Sequence, residues 1–344
     1  VEHPTTRRER THRGIDAAIM WRLGAARYEP SLSPGHAPVR PEEFWSATSV
    51  ARPAPVSVTG RWPRWDGEEL RLEAPSQGPG GHPGASKLIA TARINERAAG
   101  GAPMVLIVHG YAVPIPFWDA MQARRLRAAG AHTVLIDLPF HLRRRVPRRK
   151  SGDGYFGADP ARIRATVRQS VEDAAALVAW ARATVTPDVR VLGVSLGGLV
   201  ASLLAAQVEL EGAVIVAPFC DPPATFLERL PRNARRRLGL SRTSGGTWGA
   251  DPAAARAMLD DALAPIVPRN LVPRTPPERI TLVRPELDGI VGEAPIAELA
   301  ARWDVELWDY PYGHITVMNA PGIGSRIRSR LLEDVAEPLV SATG

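Results

Sequence analysis

The chain has 344 residues, long enough for one large core or a core plus an insertion, and 44% of them are hydrophobic, an ordinary share for a globular protein. The net charge of +7 rests on arginine used beside abundant alanine and proline. The basic clusters lack interleaved aromatic residues, so nucleic acid is not expected as a partner. Cys220 is the single cysteine, which excludes an internal disulfide and gives no sign of an oxidising compartment.

The first ten residues carry arginines without an apolar stretch of signal-peptide length, so no secretory leader is expected and the cytoplasm is the expected compartment. Val1 reads as an alternative start codon or an incomplete N-terminus. Residues 1–50 are proline-rich and weakly periodic and read as an arm lying on the core, with a short helix around Ile15 to Leu23. Residues 51–100 hold strand-like pieces at Val56 to Thr59, Leu70 to Leu72 and Leu88 to Ile94, as expected of antiparallel edge strands. From Met104 the periodicity alternates. Strands are expected at Met104 to Val108, Thr133 to Ile136, Val189 to Val194 and Val214 to Val216. Helices are expected between them at Phe117 to Ala129, Ala161 to Ala183 and from the end of the third strand to Val208. This βαβ alternation predicts an α/β fold with a mostly parallel, doubly wound sheet.

Phe219 to Pro277 interrupts the pattern with prolines, arginines and irregular helical pieces at Phe226 to Leu238 and Pro252 to Leu263, and reads as an inserted helical lid. Trp248 and Met258 are candidates to line a substrate pocket there, or to form the lid's own small core. Strands at Ile280 to Val283 and Val305 to Trp308 and a last helix at about Gly322 to Glu333 close the sheet. The expected division is an arm over 1–50, a first part of the core over 51–218, a lid over 219–277 and the rest of the core over 278–344. The apolar run Val191 to Ala206 is too short, and too interrupted by glycine and serine, to span a membrane.

Gly193-Val194-Ser195-Leu196-Gly197 is a G-x-S-x-G pentapeptide standing between a buried strand and an alanine-rich helix. Glycines on both sides let strand and helix pack closely, which pushes Ser195 to an exposed apex and aims the Leu196 N–H where an oxyanion would form. A serine nucleophile needs a base, and a carboxylate to orient that base. His314 is the one histidine downstream of Ser195, in a Gly-His loop between the last strand and the last helix. Asp288, at an Asp-Gly turn just past the Ile280 strand, is the expected acid; Asp221, one strand earlier, competes, and Asp304 and Asp309 are weaker candidates. The second oxyanion donor is expected after His109-Gly110, from Tyr111 or from Ala112 one residue on.

With these residues the chain resembles the α/β-hydrolase superfamily over about residues 85–335. His109-Gly110, the elbow and Gly313-His314 match the superfamily pattern, whereas Pro285-Glu286-Leu287-Asp288 lacks the glycine usual in the acid region. A serine at the nucleophile position argues against dehalogenases and epoxide hydrolases, and the His-Gly-Gly-Gly loop of the hormone-sensitive-lipase branch is absent. Leu138 to Trp180 is similar to a bacterial branch related to the α/β-hydrolase domain-containing-18 group. The resemblance implies a serine hydrolase acting on a carboxylic ester of a small-molecule acyl substrate. Thioesterase, amidase, lactonase or acyltransferase chemistry on the same triad, or a non-catalytic receptor on the same fold, are the alternatives. No cofactor and no metal are expected, since no Cys/His cluster has ligand spacing. The arginine cluster Arg143 to Lys150 reads as a solvated loop or, at the carboxyl edge of the sheet, as a contact for an anionic substrate.

Overall fold

The computed structural model describes residues 6–23, 39–46, 49–78, 85–157, 159–230 and 252–333. Among them, nine strands form one sheet: β1 (Ser57–Arg64), β2 (Gly67–Pro75), β3 (Lys87–Asn95), β4 (Met104–Val108), β5 (His132–Asp137), β6 (Val189–Val194), β7 (Gly212–Val216), β8 (Ile280–Pro285) and β9 (Glu306–Tyr310). Their spatial order is β1-β2-β3-β5-β4-β6-β7-β8-β9. Pairing is antiparallel from β1 through β3 to β5 and parallel from β5 to β9.

The unbroken apolar runs of the central strands follow from burial on both faces. Met104, Leu106 and Val108 of β4 join one hydrophobic cluster with Val167 and Leu177 of helix α4 (Pro160–Thr184) and Leu199 and Leu203 of helix α5 (Leu196–Gln207). Val105 and Ile107 point the other way, towards Leu126 of helix α3 (Phe117–Ala128) and Ile323 and Ile327 of the last helix, Ile323–Leu332. A strand with two covered faces has no polar side to alternate with. At the start of α4, Asp159 accepts a hydrogen bond from Ala161 N–H at 2.9 Å and Pro160 occupies the first turn, which needs no N–H there.

Between β7 and β8 lies the helical insertion: Pro222–Ala224 runs into a wide π-type turn at Thr225–Arg229, and the helix Pro252–Leu263 follows. The rest of the expected Phe226 to Leu238 piece lies mostly outside the described residues. Three helices exceed expectation. Helix α1 (Arg7–Leu23) begins two turns before the helix expected at Ile15, and α2 (Pro41–Ser46) and Ala294–Trp303 were not anticipated. The latter has a legible signal, since Ile296, Leu299, Ala300 and Trp303 are buried at helical spacing. Among the described residues, no helix is long and apolar enough to cross a membrane.

The arginine cluster after β5 is not simply solvated. Arg143 pairs with Asp137 at 2.7 Å, and the buried Arg144 pairs with the buried Asp173 of α4 at 2.7 Å while reaching Ser76 Oγ at 3.3 Å. A buried guanidinium with a partner carboxylate and a carbonyl acceptor, here Asp137 C=O at 3.0 Å, ties β2, the β5 loop and α4 together.

Candidate active site

Ser195 stands between β6 and α5 with φ 56° and ψ −113°, a conformation that costs a residue with a Cβ roughly 1–3 kcal/mol. Its N–H donates to Val216 C=O at 2.9 Å, and its own carbonyl accepts from Leu199 N–H and Phe219 N–H, each at 3.0 Å, so the surrounding backbone holds the strain in place. The elbow glycines are a steric requirement. A Cβ on Gly197 would run into the Val108 carbonyl, and one on Gly193 would meet Gly197 C=O and, at 2.6 Å, Ala201 Cβ. Leu196 N–H opens α5 and has no carbonyl one turn back to donate to within the helix.

Ser195 Oγ lies 2.9 Å from His314 Nε2, and His314 Nδ1 lies 2.7 Å from Asp288 Oδ2. With the Nδ1 proton donated to the carboxylate, Nε2 carries the lone pair that accepts from the serine hydroxyl. Asp288 Oδ1 accepts from the N–H groups of Ile290 and Val291, each at 2.8 Å, and of Gly292 at 3.3 Å. Burial opposes the charge on Asp288. The facing imidazole and these N–H groups outweigh it and hold the carboxyl below its usual value. Burial likewise opposes an imidazolium at His314, yet the charge and hydrogen bond of Asp288, with a further contribution from Asp16, raise it above the ordinary imidazole value.

The rival carboxylates are not the ones that meet His314. Asp221 caps the turn at Ala224 N–H (3.0 Å) and pairs with Arg269 at 2.8 Å. Asp304 ends the helix Ala294–Trp303 in the left-handed conformation, and Asp309 pairs with Arg284 at 2.6 Å.

On the opposite side of the serine, Gly110 faces Ser195, with 3.6 Å between its missing Cβ and that of the serine. Of the two expected oxyanion donors, Ala112 N–H is engaged by His141 Nε2 at 3.1 Å. Tyr111 lies beside the serine, its hydroxyl donating to Gly152 C=O at 3.3 Å. His109 is held by backbone on both ring nitrogens, through Gly110 C=O at 2.7 Å and Leu138 N–H at 3.2 Å.

A cavity of about 60 Å³ opens at Ser195, lined by Tyr111, Phe156, Phe219, Phe226, Leu230 and Val291 among others. Its rings pack edge-on, with Phe156 and Phe226 centroids 5.4 Å apart and Phe219 and Phe226 5.7 Å apart. A larger hollow of about 460 Å³ between α3 and strands β3 and β5 does not touch the serine, and the triad fixes the smaller one as the site of chemistry. Met258 is half-buried against the core on a helix that packs on α4, and it does not line the cavity at Ser195. Trp248 lies outside the described residues. Phe219 and Phe226, which do line the cavity, were not singled out from sequence, because an aromatic in an irregular segment carries no periodic signal. Also missed was Asp16, whose carboxylate accepts from the backbone N–H groups of Gly289 (2.9 Å), His314 (2.8 Å) and Ile315 (3.2 Å). Among the described residues, no three His, Cys, Asp or Glu side chains are grouped so as to hold a metal ion.

A serine on a strand-to-helix elbow, in line with a buried histidine and a buried carboxylate, defines a serine hydrolase. The chain belongs to the Alpha/beta hydrolase family, whose pattern it matches over residues 105–327. Solved structures agree on the fold. Acetyl xylan esterase 1 from Thermoanaerobacterium sp. is similar at 15% identity, covering 91% of this chain and 98% of that one with a TM-score of 0.65. An acetyl xylan esterase from Paenibacillus sp. R4 follows at 14% identity, with 83% and 92% covered and a TM-score of 0.56. An esterase of Pyrococcus furiosus is similar at 19% identity, with 81% and 98% covered and a TM-score of 0.51. Among curated proteins, none matches the sequence.

Proposed function

We propose that the protein hydrolyses carboxylic esters of small apolar acyl groups through an acyl-enzyme on Ser195. The observation that carries this reading is the unbroken line Ser195 Oγ, His314 Nε2, His314 Nδ1, Asp288 Oδ2 beside a small aromatic cavity. In the acylation step Ser195 Oγ attacks the ester carbonyl as His314 takes its proton, and Asp288 steadies the imidazolium. The carbonyl oxygen gains negative charge, for which Leu196 N–H and Tyr111 N–H are the proposed donors. The tetrahedral intermediate collapses as His314 passes the proton to the leaving alkoxide. Water then enters and its oxygen bonds to the acyl carbon as His314 removes its proton; the second tetrahedral intermediate expels Ser195 Oγ, which takes that proton back from His314 as the acid leaves.

The acyl size follows from the cavity. At about 60 Å³ it has room for roughly four water-sized groups, enough for acetyl or propionyl and too little for a long chain. The lid segment supplies Phe226 and Leu230 to this wall, which supports a lid that sets substrate choice while the catalytic groups come from the core. The stretch Leu138 to Trp180 supports placing the chain near the branch related to the domain-containing-18 group.

A fluorophosphonate probe followed by peptide mapping tests the nucleophile, and a series of p-nitrophenyl esters from acetate to octanoate tests the pocket. Labelling at Ser195 with kcat/KM highest on acetate or propionate is expected. A folded protein that the probe leaves unmodified would refute an activated serine, and a preference for octanoate would refute the small acyl site. Activity on thioesters or anilides exceeding that on esters would move the protein to the corresponding class on the same triad.

A further inference from the structure

We propose that Asp16, on the N-terminal helix α1, is a positioning residue for the catalytic triad, clamping the acid loop and the histidine loop to each other from outside the hydrolase core. This rests on the triad reading above.

The geometry is that of one carboxylate shared between two loops. Asp16 Oδ2 accepts from Gly289 N–H, next to Asp288, and from His314 N–H itself, while Oδ1 accepts from Ile315 N–H. Asp16 is fully buried, so these donors take the place of water around it. A buried N–H left without a partner is destabilising, and each loop depends on this carboxylate for that partner. The serine sits rigidly on the elbow, but the acid and the base stand on separate loops after β8 and β9. Direct ties already join them, at Leu287 N–H to Tyr312 C=O (3.0 Å) and at the 2.7 Å contact of the two catalytic side chains, and Asp16 adds a bridge at the backbone of His314 itself and of Gly289 beside Asp288.

Two glycines are shaped to this contact. A Cβ on Gly313 would stand 2.8 Å from Asp16 Oδ2, and one on Gly289 would stand 3.1 Å from Asp16 Cβ. At both positions the three atoms nearest to that missing Cβ, outside the adjoining residues, belong to Asp16. Neither glycine has a positive φ, so the approach of the carboxylate is what their small size permits. The rest of the helix face is aligned with the same loop. Residues 8, 12 and 16 lie on one face at four-residue spacing: Arg8 stacks over Tyr312 at 4.7 Å, and His12 Nδ1 lies 2.9 Å from Thr316 Oγ1.

The charge also reaches the base. Asp288 on the acid loop and Asp16 on α1 are the charged groups that act on His314; His12 and Arg8 of α1 contact its neighbours Thr316 and Tyr312, and Arg229 of the insertion is held against the Asp288 carbonyl at 3.4 Å. Asp16 is one of the two carboxylates that favour the imidazolium.

The test is Asp16→Asn, which keeps the shape, removes the charge and puts an NH₂ where an acceptor was. Rates on p-nitrophenyl acetate are normalised to folded active sites by fluorophosphonate titration. The expected result is a kcat lowered about 10- to 100-fold with KM changed less than about twofold. The acid limb of kcat/KM should also move to lower pH, because the imidazolium loses one stabilising carboxylate. A lowered Tm with normal kcat per titrated site and an unmoved acid limb would reduce Asp16 to a fold-stabilising contact and overturn the proposal. Should Asp16→Asn fold poorly, Gly313→Ala serves in its place: it is expected to lower kcat in the wild-type background and to add no further loss on top of Asp16→Ala. Additive losses would overturn the clamp. Failure of the probe to label wild-type Ser195 would instead refute the triad reading itself, and so the two failures are told apart.

Discussion

His141 Nε2 accepts the backbone N–H of Ala112 at 3.1 Å, and its Nδ1 donates to Pro139 C=O at 2.8 Å. The side chain is fully buried, and burial, with His109 beside it, holds its pKa well below the usual value. Burial thus favours the neutral ring, whose Nε2 keeps the lone pair that anchors the loop opposite the serine. His141→Phe removes that anchor while filling the same space. We expect kcat to fall by about one order of magnitude, less than the 10²–10³ lost with an oxyanion donor itself, with KM little changed. An unchanged kcat would show that the loop holds its shape unaided.

Asp288 and Asp221 make a matched pair for mutation. Asp288→Asn should lower kcat by roughly 10³–10⁴, because Asn loses the charge and presents the wrong partner to His314 Nδ1. Asp221→Asn should leave kcat near wild type and lower stability by about 1–3 kcal/mol, since Arg269 and Arg256 lose a partner but remain partly in solvent. Steady-state kinetics and thermal melts on both variants check this. A large kcat loss at Asp221 alone would move the acid to the earlier strand.

The pH dependence has a definite sign. Catalysis needs neutral His314, whose pKa is raised, so the acid limb of kcat/KM for the free enzyme should lie above the ordinary imidazole value of 6.5. Asp288→Asn should pull that limb down, because the carboxylate that favours the imidazolium is gone. For stability the two groups act at opposite ends. The raised His314 contributes fully below 6.5 and loses its contribution as pH rises through its folded value. The depressed Asp288 contributes above 3.8 and loses its contribution as pH falls through its folded value. A pH–rate profile and melts across the same range measure both.

Ser195 carries its strain for function. Ser195→Gly should abolish turnover yet stabilise the fold by about 1 kcal/mol, the relief of strain outweighing the entropy of an added glycine. That corresponds to a Tm roughly 2 °C higher. Ser195→Ala keeps the Cβ and should abolish turnover without the gain. Equal melting of the two variants would show that the elbow is not strained.

Phe226 contributes from the insertion to the wall of the cavity at Ser195. Phe226→Ala should extend the accepted chain, raising kcat/KM on butanoate or hexanoate relative to acetate by about one order of magnitude, consistent with ~1–3 kcal/mol of added apolar contact. The ester series measures it. An unaltered preference would place the acyl group elsewhere.

The parts of this molecule that repeat a local rule were legible in its sequence. Strand β4 was bounded correctly because a strand covered on both faces reads as an uninterrupted apolar run. The helix Pro252–Leu263 was bounded correctly because a proline opens it and its apolar positions keep helical spacing. The elbow, the base loop and the acid turn were legible because each sets a reactive side chain beside a glycine just past a strand. What the sequence hid depends on distant contact. Nothing around Asp16 marks it, since a single acid on a weakly patterned helix looks like any solvated one until Gly289 and Gly313 are seen to close on it. Likewise Phe219 and Phe226 became pocket residues only once the insertion folded back over the serine.

The contact between Asp16 and His314 joins positions 298 residues apart, the first described helix and the last loop before the final helix. A chain emerging from the ribosome can therefore form its elbow, the loop after β4 and most of its sheet before His314 is available to the serine. Closure over so long a separation comes late, because the intervening chain must be ordered before that contact is gained. Truncated or stalled products carry the serine without its base and so lack a complete triad. On the proposed role of Asp16, the full hydrolytic rate needs that contact as well, so in refolding its return should trail the recovery of helical signal.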